Sequence, residues 1–298
     1  MVEILWSPAG HNLPSLGSKA LVDVSDGDTP NVRMPIRMLS VDTPEVTARS
    51  DAGAERVDAE FAQLAVWIQN GDAPVSDAFA AYILPKLAGG GTLQLAQGKA
   101  ASAFFKDQVA VRLARPGKPD RSLFIRTADA PFDNYGRLLA YVAPNYTKQE
   151  REQLPREQRT TFNLDLVASG WAAPFILYPS IPGELDLPLV INAAQAARDN
   201  GLGQHADPGS LPGYEYRMCE KLHDITKKLV VDGDNLSIGA RLKWRSRYCA
   251  DMTTRELRGP EGYMSIPEPH RLWIWPNDVR NAIGSLNLIP TGVGAATD

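Results

Sequence analysis

Cysteine and histidine are scarce in this sequence. Cys219 and Cys249 are the only two cysteines among 298 residues, and they stand 30 positions apart without a C-x-x-C pair. That spacing excludes a disulfide framework and a zinc knuckle; two free or buried thiols are expected, with a single disulfide as the alternative. The four histidines, His11, His205, His223 and His270, are too scattered to supply the paired spacing of a zinc site. No apolar run approaches the ~18 residues that a spanning helix needs, so no membrane partner is expected. The opening MVEILWSPAG carries an acid at Glu3 and has no apolar stretch before Pro8. It therefore does not read as a secretory signal, and a cytoplasmic location is the expectation. Neither charge sign dominates, with 31 Lys and Arg against 35 Asp and Glu, so a generally polycationic nucleic-acid coat is excluded.

What is present is enough for a real core. The length is about twice the ~150-residue domain prior, and 44% hydrophobic against 22% charged residues excludes wholesale disorder. Charge is unevenly spread: residues 99–160 carry 12 Lys and Arg against 7 acids, whereas residues 1–98 carry 6 against 12. A net acidic chain can still bind a polyanion where its cations converge, so 99–160 is the candidate surface.

Residues 20–45 read as strand, turn, strand, with SDGDTPN as the turn and Pro44 bending the chain after Thr43. Val57, Phe61, Leu64 and Ile68 recur at spacings of 4, 3 and 4, which predicts an amphipathic helix over 51–70. Ser76-Asp77 caps a second helix that Pro85 ends or kinks, and Gly89-Gly90-Gly91 reads as a flexible break. A short helix at Ala100 to Asp107 followed by a strand at Val109 to Leu113 is expected next. Residues 121–126 and 138–143 then pair as strands, and helices follow at 164–169 and 189–200. DPGSLPG at 207–213 reads as a linker, followed by a helix over 216–231, a long strand or hairpin arm over 236–248 and a frayed tail, TGVGAATD. Short strands with interspersed helices predict an α+β fold around a small closed barrel.

The residues that carry chemistry form one constellation. Asp26-Gly27-Asp28-Thr29 sits in a turn, Arg37 and Asp42-Thr43-Pro44-Glu45 bracket the next strand, and Tyr135-Gly136-Arg137 follows almost a hundred residues later. Carboxylates and carbonyls suit a hard divalent cation, and guanidinium forks match phosphate oxygens, so these are the parts of a metal-assisted phosphodiester hydrolase. One condition applies. In an unbroken strand, odd and even positions face opposite sides, so Arg37 and Asp42 share a site only if the strand ends or bulges between them.

These three motifs, in this order, resemble the staphylococcal nuclease (thermonuclease-like) family over about residues 20–204, with the stretch between Glu45 and Lys99 fitting least well. The resemblance implies a five-stranded OB-fold-like β-barrel with flanking helices over 1–207, with a helical insertion near 46–98 that fits it poorly; the linker reading at 207–213 sets off a smaller C-terminal domain over 208–298, outside the resemblance. It implies that Asp28, Asp42 and the carbonyl of Thr43 hold one Ca2+. It further implies that Glu45 activates the attacking water, that Arg37 and Arg137 stabilise the phosphorane-like transition state, and that Tyr135 and Tyr178 contact substrate. Asn134 stands where the family often has a basic residue. The expected activity is cleavage of DNA and/or RNA with little base specificity and 3′-phosphate products.

Arg241, Lys243, Arg245 and Arg247 alternate with other residues. On a strand they would line one face, either a solvated one or an accessory nucleic-acid surface. Two alternatives stand beside the nuclease. One is a catalytically silent nucleic-acid or protein-binding module of the same fold. The other is a subunit of a larger assembly that meets a protein partner through the insertion or the C-terminal region.

Overall fold

The computed structural model describes residues 15–291; His11, the leader reading at the start of the chain and the tail from Gly292 lie outside the described residues. The fold is mixed α+β. β1 (Ala20–Asp26) and β2 (Thr29–Arg33) form a hairpin, followed by β3 (Ile36–Met38) and β4 (Ser40–Asp42). Three helices come next: α1 (Asp51–Gln69), α2 (Asp77–Leu87) and α3 (Gly90–Leu113). The chain continues as β5 (Leu123–Phe132), β6 (Leu138–Pro144), α4 (Lys148–Gln153), α5 (Phe162–Ala168), β7 (Ala173–Leu177) and α6 (Leu187–Asp199). Beyond 207 come α7 (Gly213–Val230), α8 (Ile238–Arg241), β8 (Tyr248–Asp251), β9 (Glu256–Arg258), β10 (Arg271–Ile274), α9 (Val279–Leu286) and β11 (Ile289–Pro290).

The helix starts follow local chemistry. The Ser50 hydroxyl accepts from the Gly53 amide to cap α1, and the Ser76 hydroxyl accepts from the Phe79 amide to cap α2. Pro85 lies inside α2, which runs on to Leu87. The expected break at Gly89–Gly91 is instead the start of α3. Gly89 takes the left-handed conformation at φ +68° as the N-cap. Gly91 lets α3 close on α1, since a Cβ there would stand 2.5 Å from the Ala54 carbonyl oxygen. The helix-then-strand reading of 100–113 is corrected likewise, because one helix of 24 residues spans that stretch.

The strands lie in three sheets, and among the described residues they do not close into a barrel. One sheet has the order β3-β6-β5, and the β1–β2 hairpin stands by itself. The largest has six strands in the order β11-β9-β8-β10-β7-β4, with β7 antiparallel to β4 and parallel to β10. This sheet and its core cross the boundary expected at 207. Phe61, Leu64 and Phe79 pack in one cluster with Tyr214, Trp244 and Trp273, all buried. Residues after 207 thus share their hydrophobic burial with the helices near 46–98.

The long strand or hairpin arm expected over 236–248 is also corrected. Ser237 caps the short α8 through the Ala240 amide, and Trp244 is fully buried, donating its indole N–H to the Pro74 carbonyl at 3.2 Å. Arg245 pairs with Glu261 at 2.6 Å, while Arg247 lies over aromatic rings, so no single strand face carries the four cations. Both cysteines are buried thiols, and burial pushes the Cys249 thiol up to about 12.

Candidate active site

The strand break that the site requires is present. β3 pairs with β6 at Arg37 and Leu139, whereas β4 pairs with β7 at Ser40 and Phe175. The chain changes sheets at Ser40, which adopts φ +58°, a conformation that side chains rarely take. Asn163 holds the switch by donating to the Leu39 carbonyl at 2.8 Å and accepting from the Val142 amide at 3.0 Å. The turn brings Arg37 onto Asp42, with Nη2 2.9 Å from Oδ1. Asp42 is almost inaccessible, its side chain only 2% exposed.

Two helices lock the loop that carries Glu45. From α3, Gln94 accepts the Glu45 amide at 2.8 Å and donates to the Leu211 carbonyl at 3.0 Å. Gly98 lets α3 meet this loop, since a Cβ there would stand 2.7 Å from the Glu45 carbonyl oxygen. From the other side, α7 brings Gly213 against Thr43, where a Cβ would stand 2.6 Å from the Thr43 carbonyl oxygen and 2.8 Å from Asp42 Oδ2. One turn on, Arg217 donates through Nη2 to both Asp42 oxygens, at 2.9 and 3.1 Å, and through Nη1 to Glu45.

The electrostatics are those of a compensated cluster. Burial alone would lower the basicity of Arg217, but Asp42 and Glu45 outweigh it and raise its pKa. Glu220, one turn further along α7, is pushed up to about 7 by burial and by the nearby charge of Glu45. Arg247 is lowered to about 10 by burial and by repulsion from Arg217, and it rests on the faces of Phe175, Trp273 and Trp275. Lys221 is lowered by burial and then by Arg247 and Arg217. Two carboxylates and several cations therefore share the end of β4. Guanidinium N–H groups not used on Asp42 and Glu45 can receive phosphate oxygens there.

A family model described as staphylococcal nuclease homologue matches residues 35–204, more than half of the chain. The chain belongs to the staphylococcal nuclease family. A search of curated proteins gave no match. The matched span contains Arg37, Asp42, Thr43, Glu45, Tyr135, Arg137 and Tyr178, whereas the Asp28 turn precedes it.

Other residues expected from the staphylococcal nuclease motifs are held by local contacts of their own. Asp28 sits at the tip of the β1–β2 hairpin, where its carboxylate accepts from Thr29 Oγ1 at 3.2 Å. Arg137 is held within its own turn: Asp133 accepts from its Nε at 2.7 Å and from the Tyr135 amide at 2.9 Å. The Arg137 guanidinium lies 5.3 Å from the Tyr135 ring centroid, and that ring is 82% exposed. Gly136 takes φ +66°, with its α-carbon packed so closely on Leu16 that a Cβ would stand 2.3 Å from the Leu16 carbonyl oxygen. The Tyr178 hydroxyl lies 3.0 Å from Ser285 of α9 and its ring packs on the Ile176 cluster.

The residues expected to hold Ca2+ are engaged by other groups of the protein. Among the described residues, no three of His, Cys, Asp and Glu gather into a metal-holding group. Asp42 and Glu45 already receive Arg217, the Thr43 carbonyl faces Gly213, and Asp28 is engaged in its own turn. Arg217 and Gly213 had no local signal: Arg217 meets Glu45 across 172 residues of chain, and the sequence predicted only a helix over 216–231 there.

Proposed function

We propose that this chain binds nucleic acid and hydrolyses its phosphodiester bonds at the Arg37–Asp42–Glu45 centre, with little base specificity. The observation that carries this reading is the sheet change at Ser40, which places Arg37 on Asp42 with Glu45 three residues beyond. Arg37 uses one of its donors on Asp42 and has others free for a phosphate oxygen, where negative charge grows in the transition state. Glu45 is the base that takes the proton of the attacking water, a role worth about 10²–10⁴ in rate. Arg217 orients that carboxylate. Arg137 and Tyr135 enter the proposal as contacts to the strand from the β5–β6 turn, and Tyr178 as a further one. Backbone and sugar contacts of this kind discriminate poorly between bases, hence DNA and/or RNA as substrate.

The Ca2+ dependence usual in the family supports a metal-assisted form of this chemistry. It requires Asp42 and Glu45 to be released by Arg217. The same contact favours a second reading, a catalytically silent nucleic-acid-binding module, because Arg217 satisfies the carboxylates that a metal would use. Cleavage assays on single- and double-stranded DNA and RNA, with Ca2+, Mg2+ or EDTA and with binding measured in parallel, separate the two. Cleavage supports the hydrolase; tight binding without cleavage in any metal supports the silent module.

A further inference from the structure

A cavity of about 470 Å³ opens between the β5–β6 sheet, the segment 145–161 and the loop 179–190. Neither Arg37, Asp42 nor Glu45 lines it; Leu39, Ser40 and Val41, from the segment between Arg37 and Asp42, form part of its lining. Its volume is within the range of small-molecule sites, about 300–1,000 Å³.

The charge of this cavity is one-sided. Arg126, Arg151, Arg156 and Arg159 line it against a single carboxylate, Asp186. Arg156 pairs with Asp186, which closes one side of the mouth. Arg159 uses Nε on the Leu154 carbonyl at 3.0 Å and keeps its other N–H groups. Three guanidinium groups are thus left over, more than a monocarboxylate would balance and suited to a dianionic phosphate that accepts bidentate bonds. The remaining wall is largely apolar, with Phe124, Ile181, Leu189 and Val190, and the floor carries Tyr141, whose hydroxyl lies 2.6 Å from Ser40 Oγ. Apolar and aromatic walls around a few fixed polar groups take a flat ring, and Arg planes stack on such rings.

We propose that this cavity is a second, non-catalytic site for a phosphomonoester carried on a planar ring, the chemistry of a nucleotide, whether free or at the end of a strand. The phosphate lies among Arg126, Arg151 and Arg159, and the ring lies against Phe124 and the 179–190 loop.

Calorimetric titration of the full chain with AMP, adenosine, inorganic phosphate and a 5′-phosphorylated tetranucleotide tests this. AMP should bind at least tenfold more tightly than adenosine or inorganic phosphate. The double variant Arg126→Gln/Arg159→Gln, with Arg126 exposed and Arg159 half-buried, should lose at least tenfold in AMP affinity while its melting curve is retained. Arg37→Gln should bind AMP as the parent does, which separates this site from the active centre. Tetranucleotide binding that is tighter than AMP binding and is lost in the Arg126→Gln/Arg159→Gln variant assigns the site to a strand end; a tetranucleotide affinity that the double variant leaves unchanged assigns it to free nucleotide. The proposal is overturned by absence of AMP binding. It is also overturned by unchanged affinity in the double variant, or by adenosine or phosphate binding as tightly as AMP.

Discussion

Arg217 donates to both carboxylate oxygens of Asp42, at 2.9 and 3.1 Å, from a helix that begins beyond the segment matched by the family model. Asp42 thereby sits between two guanidinium groups, Arg37 and Arg217, and Glu45 shares the second. Ion pairs removed from solvent hold geometry firmly, and losing one partner leaves a buried charge uncompensated.

Replacing Arg217 tests what that contact does. Arg217→Gln should destabilise the chain by about 1–3 kcal/mol, less than for a fully buried pair because the arginine is partly open to solvent. It also frees Asp42 and Glu45, so added Ca2+ should raise the melting temperature of the variant more than that of the parent. Urea denaturation and thermal melts with and without Ca2+ read both effects. An equal Ca2+ shift in the two proteins would show that Arg217 does not compete with a cation.

Glu220 gives a pH signature. Its carboxyl is held near 7 against an ordinary value of 4.5, so between these values the folded chain binds more protons than the unfolded chain. Stability from this group is therefore complete below about 4.5 and lost as pH rises through about 7. Glu220→Gln should raise the melting temperature above pH 7, with the gain fading toward pH 4.5. A gain independent of pH would contradict the assignment.

Glu215 anchors α7 from beneath. It is fully buried, accepts from Tyr82 at 2.6 Å and Lys86 at 3.1 Å, and lies 3.6 Å from Arg271. Glu215→Ala should cost about 3–5 kcal/mol in urea denaturation, because Lys86 and Arg271 lose their buried counterion. Asp51→Ala, which breaks the exposed pair with Lys99, should leave stability unchanged within error.

Much of this was legible in sequence, and the reasons for the rest are physical. The helix over 51–69 followed from the apolar spacing of Val57, Phe61, Leu64 and Ile68, and the β5–β6 pairing from turn residues around Gly136. The need for a break between Arg37 and Asp42 followed from strand geometry, and Ser40 supplies it. Long-range partners left no local trace: the helix expected over 216–231 begins at Gly213, so Glu215 lies before the expected span and Arg217 looks like an ordinary polar position until α7 is docked. Arg241 to Arg247 alternate like a strand, but Ser237 capping and the burial of Trp244 fold that stretch into a turn of helix and a loop.

Gly98 tests the positioning of Glu45. Gly98→Ala adds a methyl group 2.7 Å from the Glu45 carbonyl oxygen and 2.9 Å from that of Pro44. The loop must move, and misplacement by about 1 Å can cost on the order of 10²-fold in rate. Cleavage should fall at least tenfold while the far-ultraviolet circular dichroism spectrum stays that of the parent. Parental cleavage by a folded Gly98→Ala protein would remove α3 from the account.

The most direct test is cleavage of single-stranded DNA by the parent and by Glu45→Gln, with strand binding measured on the same preparations. Catalysis at the Arg37–Asp42–Glu45 centre predicts that the parent cleaves and that the variant binds as well but turns over at least ~10²-fold more slowly. Equal cleavage by a folded Glu45→Gln protein, or a parent that binds strands and never cuts them, would contradict it.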